Sequence, residues 1–542
     1  MVLVVGSPRP LILIRGFGGP GVSDERRDAY QGFNNGSVYP ERYGENYIYE
    51  GFVLRALKSP LHPYRDATNV VGYYEKEQKP RPGEHDGWPE HLLTGTMVVD
   101  VPMAREVLGQ GALGTLWIYR YYDLLPRTID RFGEGLVRLI EIIRHGMRPD
   151  EEFTGVDIVA HSMGGLVTRA ALSRLGDSGA DLVHRIVTLG TPHRGIAFQY
   201  MPDALVKCLP DAVADEIAAF DPDRTDIRAI PFPVRRILTV VGTDHRSYSN
   251  KFATLGNRIA GLIDEGTLTY NRSDGLVKQS SAQIPGAPRT FVHKCHGGDD
   301  SLVTSREAYE IAMRFFHGTH HVQLRLDRAE VTRGRDLFGR SEFYFGVSVK
   351  PRFIDFDLCH QSSEAENYYG PFRKDDFTDD LPDLAEELGK PLSESGDATT
   401  GWADGDRLIW EGWLDVAAKP EGAADRSVVL RLDVQVYERD SLGIGFSDNL
   451  VFRKHYYVQA VPDGAGEWSL YLHTGERFLA PGVSTEEGHA AAADEQVSEV
   501  WPMRPTDEGG PGTWTFQVGG TGFTADLLLT VTDERTTGAA PA

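Results

Sequence analysis

Apolar residues in the first 318 positions fall into short runs separated by segments of helical period. Leu11-Ile12-Leu13-Ile14 and Leu116-Trp117-Ile118-Tyr119 read as buried strands. After Pro126, Ile129, Phe132, Leu136, Ile140 and Ile143 share one helical face. Val156 to Ala160 reads as the next strand and Gly165 to Leu175 as a helix. Arg185 to Leu189, Arg236 to Val241 and Thr290 to His293 continue the strand series, before a helix ending near Phe316. Strands alternating with helices predict an α/β architecture, a mostly parallel sheet covered on both faces.

From about residue 319 to 542 the period changes to two. Val322/Leu324/Leu326, Phe343/Phe345/Val347/Val349, Leu430/Leu432/Val434/Val436 and Leu527/Leu529/Val531 each put apolar side chains on one face. That is the pattern of half-buried antiparallel strands and predicts an all-β, sandwich-like second domain. The acidic stretch from Ser362 to Asp406, dotted with Gly and Pro, reads as a long loop insertion. The tail after Glu534 is small and polar, and there is no internal repeat.

Charge sharpens the division. Up to His320 the chain carries 36 basic and 39 acidic residues, and beyond it 20 basic and 40 acidic. A nearly neutral first part is thus joined to a strongly acidic second one, which makes nucleic acid a poor partner. The acidic part is better suited to solubility or to a protein partner. The three cysteines are far apart and form no CxxC pair, so neither a disulfide framework nor a zinc site is expected. No apolar run is long enough to span a bilayer, and the first ten residues do not read as a secretory leader, which points to a cytoplasmic location or to secretion without a leader.

The chemistry is concentrated at Ala160-His161-Ser162-Met163-Gly164-Gly165, between a strand and a helix. A serine on so sharp a turn has its hydroxyl forced out over the sheet edge, and the crossing of strand and helix requires small residues two positions either side. Ala160 and Gly164 satisfy that, although a serine simply capping a helix would share part of the pattern. The Met163 amide, at the helix N-terminus, can donate to a developing oxyanion. A second donor is expected from the loop after an earlier strand. Arg15-Gly16-Phe17-Gly18-Gly19 follows Leu11 to Ile14 directly, with Phe17 supplying the N–H. Gly19-Pro20-Gly21 argues against a phosphate cradle, which needs a helix to open at once.

These segments resemble the α/β-hydrolase superfamily, and within it the bacterial lipase and esterase branch. Leu189-Gly190-Thr191-Pro192-His193-Arg194-Gly195 is similar to a loop of lipases, lecithin:cholesterol-acyltransferase-like and GPI-inositol-deacylase-like proteins. Ser273-Asp274-Gly275-Leu276-Val277 resembles the lipase pattern that carries the acid of the triad, and His296 follows the last strand where the family has its base. The resemblance implies Ser162 as nucleophile, His296 as base and Asp274 as acid, with Asp244, just after another strand, as the rival acid. It implies His161 and His193 as spacers. Asp299 and Asp300 read as a helix cap, although they resemble calcium ligands of some lipases. The expected reaction is hydrolysis of the carboxylic ester of an acyl lipid through an acyl-enzyme. An alcohol outcompeting water would make the same site an acyltransferase, and a frame without activity would serve as a binding protein.

Two insertions interrupt the first domain, at about 20–112 and 196–230. Val213, Ile217 and Phe220 give the second an apolar helical face, which reads either as a lid that brings the site into transient membrane contact or as a helix packed on the core. The segment Val436 to Asn449, with Asp355 and Asp357, faintly resembles the calcium loops of C2 domains, but an acidic hairpin turn with solvated loops explains it more simply. No cofactor or metal is assigned; calcium is the cation such loops would hold. Trp402, Trp410, Trp413, Trp468 and Trp514 are read as core filling.

Overall fold

The computed structural model describes residues 7–16, 33, 51–81, 83, 87–121, 124, 128–194, 232–245, 273–297, 301–331, 341–359, 369–373, 388–392, 406–415, 428–440, 449–462, 468–476, 478–479, 500–507 and 510–534. The chain divides into two compact units, one of residues 1–289 with 294–312 and one of 290–293 with 313–542.

In chain order over the first 317 residues, strand β1 (Leu11–Ile14) precedes helix α1 (Phe52–Lys58), β2 (Arg65–Asp66), β3 (Val71–Gln78), β4 (Gly95–Val99), α2 (Val101–Leu108) and β5 (Thr115–Tyr119). Helix α3 (Ile129–His145), β6 (Val156–His161), α4 (Met163–Leu175), β7 (Val183–Leu189), β8 (Ile237–Gly242), β9 (Arg289–Val292) and α5 (Arg306–His317) follow. The main sheet has the order β2-β5-β1-β6-β7-β8-β9. Pairings from β2 through β8 are parallel, with Leu11 opposite both Leu116 and Asp157. Because helices cover both faces of such a sheet, its central strands are rich in apolar residues, and β1 and β5 are buried at every position.

Helix α3 begins where Thr128 Oγ1 accepts the Arg131 amide at 3.2 Å. It turns Phe132, Leu136, Leu139, Ile140 and Ile143 into the core. Its Gly133 lets α4 approach closely, since a Cβ there would lie 2.8 Å from that of Ala170. The described parts of the first insertion include α1, the antiparallel β3–β4 pair, α2 and β2, the edge strand of the main sheet. The second insertion, including the amphipathic segment with Val213, Ile217 and Phe220, lies outside the described residues. Among the described residues no helix is long and apolar enough to cross a membrane.

The C-terminal unit is all β. Its strands are β10 (His320–Val331), β11 (Ser341–Pro351), β12 (Tyr369–Arg373), β13 (Leu408–Leu414), β14 (Val428–Asp440), β15 (Asn449–Pro462), β16 (Trp468–His473), β17 (Val500–Pro502), β18 (Arg504–Thr506), β19 (Thr513–Gly520) and β20 (Phe523–Asp533). They form a five-stranded sheet β13-β10-β20-β19-β18 and a six-stranded sheet β12-β11-β14-β15-β16-β17. The alternating residues of β10, β11 and β14 are buried, as the period of two requires. Side chains join the sheets: Phe523 meets Phe345 and Phe452 at ring distances of 5.6 and 5.2 Å, and Tyr456 Oη donates to the Gly519 carbonyl at 3.0 Å. Trp410 and Trp413 are buried, whereas Trp468 and Trp514 are half-buried and Trp402 lies outside the described residues. The stretch read as a loop insertion contains β12. Glu342 and Phe343 of β11 pair with Arg373 and Phe372 there, and backbone pairing overrides the local acidic composition. Of the calcium-loop residues, Asp357 accepts from Arg431 at 3.5 Å, and 441–448, like Asp299 and Asp300, lie outside the described residues. Among the described residues no group of three His, Cys, Asp or Glu is arranged to hold a metal ion.

Candidate active site

Strand β6 ends at His161 and α4 begins at Met163, so Ser162 makes the whole turn. Its φ of 53° and ψ of −127° lie where side-chain-bearing residues pay about 1–3 kcal/mol. The surroundings over-determine that conformation. The Ser162 amide donates to the Leu189 carbonyl at 2.9 Å, and its carbonyl accepts from Gly165 at 3.0 Å. Two glycines make the crossing possible. A Cβ at Gly16 would lie 2.4 Å from that of Ser162, and one at Gly164 would lie 2.6 Å from the Ile14 carbonyl oxygen.

His296 comes from the loop past β9, and its Nε2 stands 3.0 Å from Ser162 Oγ. Its Nδ1 lies 2.8 Å from Asp274 Oδ2. The other carboxylate oxygen, Oδ1, accepts the amides of Leu276 at 3.0 Å and Val277 at 2.8 Å, so the turn after Asp274 aims its carboxylate. The main chains are tied as well, the His296 amide donating to the Asp274 carbonyl at 2.8 Å. Ser162, Asp274 and His296 are all buried. The structure therefore brings these three together. Asp244 lies just past β8, and its amide donates to the Lys294 carbonyl at 3.3 Å. His293 stands one residue beyond β9 and is half-buried.

Met163 is the first residue of α4, where a backbone N–H has no partner within the helix. Phe17 lies outside the described residues, but the loop leading to it is anchored: Tyr121 Oη donates to the Arg15 carbonyl at 2.9 Å.

Several supporting residues were not singled out by sequence. Arg169, in the stretch of α4 from Met163 to Leu172 that is buried at every position, donates to the His193 carbonyl at 2.9 Å. Burial lowers its pKa to about 10. His193 Nε2 lies 3.0 Å from Thr188 Oγ1, and burial followed by the charge of Arg169 keeps this ring well below the usual histidine range. An arginine inside an apolar helical run was the available signal for this pair.

His161 is likewise held well below the usual range, by burial first and then by His296. His184 is lowered by burial, which outweighs the opposing effect of Asp157, whose Oδ1 lies 2.8 Å from His184 Nδ1. Each of these three histidines thus binds a proton less readily folded than unfolded. Their stability contribution is complete above the unfolded value of about 6.5 and is lost as pH falls below it toward the folded values. Melting temperature should accordingly be steady between pH 8 and 7 and fall between pH 6.5 and 5.5, before most carboxylates titrate. Calorimetry across that window checks it, and a flat profile would contradict it.

A parallel sheet with a strained serine between β6 and α4 is the arrangement of the α/β-hydrolase fold. Residues 126–205 match the family model of the PGAP1-like alpha/beta domain. A triacylglycerol lipase of Pseudarthrobacter phenanthrenivorans is 30% identical over 156 residues, covering 28% of this chain and 41% of that protein. A triacylglycerol lipase of Burkholderia plantarii is 30% identical over 156 residues, covering 28% of this chain and 36% of its own. This chain therefore matches well under half the length of these curated relatives. Among solved structures, a Bacillus licheniformis lipase in propeptide form aligns over 85% of this chain and 95% of its own, at 12% identity and a TM-score of 0.27. The chain is thus similar, over part of its N-terminal region, to α/β-hydrolases of the lipase type.

Proposed function

We propose that the protein is a serine hydrolase that cleaves carboxylic esters of acyl lipids through an acyl-enzyme on Ser162. The observation that carries this reading is the 3.0 Å approach of His296 Nε2 to Ser162 Oγ, with Asp274 on the other ring nitrogen. A serine hydroxyl becomes an effective nucleophile only when a base takes its proton as it attacks. His296 takes that proton and returns it to the leaving alcohol, while Asp274 holds the tautomer and stabilises the imidazolium. The Met163 amide receives the charge that develops on the carbonyl oxygen, such a donor lowering the barrier by about 3 kcal/mol. Water, activated by the same histidine, then releases the acid.

The similarity to triacylglycerol lipases supports an acyl ester as substrate. A panel of p-nitrophenyl esters and triacylglycerols of increasing chain length tests it, run with and without an added alcohol. Turnover of acyl esters to free acid is the expected result. Ester formation dominating at modest alcohol concentration would make the protein an acyltransferase instead, and failure to turn over any ester would sink the proposal.

A further inference from the structure

His161 precedes the nucleophile, and the reaction just described gives it no part. Its ring is buried behind the elbow, with Nε2 2.9 Å from the main-chain oxygen of His296. The two imidazole rings lie 4.7 Å apart at 43°. A carbonyl oxygen only accepts, so His161 carries its proton on Nε2. The bond joins segments 135 residues apart in the chain, the end of β6 and the loop past β9. On its other side the His296 main chain is held by its own amide, which donates to the Asp274 carbonyl at 2.8 Å. The backbone of the base is thus tied on one side to the acid and on the other to the residue adjoining the nucleophile.

We propose that His161 is a positioning residue, whose Nε2–H holds the His296 main chain so that the base stays within reach of Ser162 Oγ. The proposal rests on the reading of Ser162 and His296 as nucleophile and base. Because His161 and Ser162 are consecutive on one strained turn, a bond from His161 to His296 sets the separation of the two reacting groups with little slack. The ring also suits its place by staying neutral. Burial, the charge of the His296 ring and Arg15 oppose its protonation and outweigh the His296 carbonyl, which favours it, so no second positive ring faces His296 when His296 becomes an imidazolium.

The test compares His161→Phe, which keeps a ring and loses the donor, with His161→Gln, which keeps an N–H. His161→Leu serves if the Phe variant does not fold. Steady-state kinetics on a short ester, thermal melts and the downfield proton resonance of the His296 N–H bound to Asp274 are read for each. The Phe variant should lose about ten- to a hundred-fold in kcat with KM within about two-fold, as expected for a base displaced by up to an ångström. Its downfield resonance should shift or broaden, and His161→Gln should restore most of both. Wild-type kcat and an unchanged resonance in a folded Phe variant would overturn the proposal, as would equal losses in Phe and Gln. Nitrogen chemical shifts of the intact protein add an independent reading: a His161 proton on Nδ1 overturns the proposal. If the wild type proves inert to esters, it is the hydrolase reading that fails, while the resonance and the tautomer still decide the role of His161.

Discussion

Ser162→Ala should remove ester hydrolysis almost entirely, with kcat falling by about 10⁴-fold or more. The fold should survive. Alanine keeps the Cβ that the turn already accommodates, and both backbone bonds of residue 162, to Leu189 and from Gly165, are untouched. What disappears is the hydroxyl and its contact with His296, a hydrogen bond worth about 1 kcal/mol of stability. Any residual rate comes from the Met163 amide and from binding, which do not depend on the nucleophile. Ester turnover measured beside a thermal melt separates the outcomes: an active variant refutes the assignment, whereas an inactive one with a collapsed melt says nothing specific about chemistry.

Asp274→Asn should cost nearly as much, about 10³–10⁴-fold in kcat with little change in KM. The size of the effect follows from how the carboxylate is held. Oδ1 already accepts the Leu276 and Val277 amides, so the oxygen of an asparagine is drawn to that side and its NH₂ is turned toward His296 Nδ1. Facing a donor, Nδ1 must accept, which moves the imidazole proton to Nε2, opposite Ser162 Oγ. In that tautomer the ring cannot take the serine proton. Asp244→Asn should leave activity within about two-fold, because the carboxylate at His296 Nδ1 is that of Asp274. The opposite pair of results would move the acid to Asp244.

The parallel sheet was legible because its strands are buried on both faces, which leaves continuous apolar runs such as Leu11 to Ile14. Helix α3 was legible because one face alone is apolar, and the C-terminal strands because their faces alternate. Strand β12 was not, since its segment reads as loop and only pairing with β11 makes it a strand. The serine could be found because its turn constrains its neighbours to small residues. A local pattern favoured Asp274 as the acid but left Asp244 as a rival, because the hydrogen bond from Asp274 to His296 spans 22 residues and is not written in the sequence. His161 carried no signal at all. It reads as a spacer, and its partner is the main chain of a residue far along the sequence. The same holds for Tyr121, whose hydroxyl secures the Arg15 carbonyl across 106 residues. Phe17, expected as an oxyanion donor, and the segment 196–230, expected as a lid or a packed helix, lie outside the described residues.

The central claim is that Ser162 is a nucleophile activated by His296. Its most direct test is treatment of the native protein with a fluorophosphonate, followed by mass spectrometry of the peptides. The account predicts a single stoichiometric adduct on Ser162, abolished when the protein is unfolded beforehand and strongly slowed in His296→Ala. A native protein that takes up no adduct, or takes it on another serine with Ser162 unmodified, would contradict it.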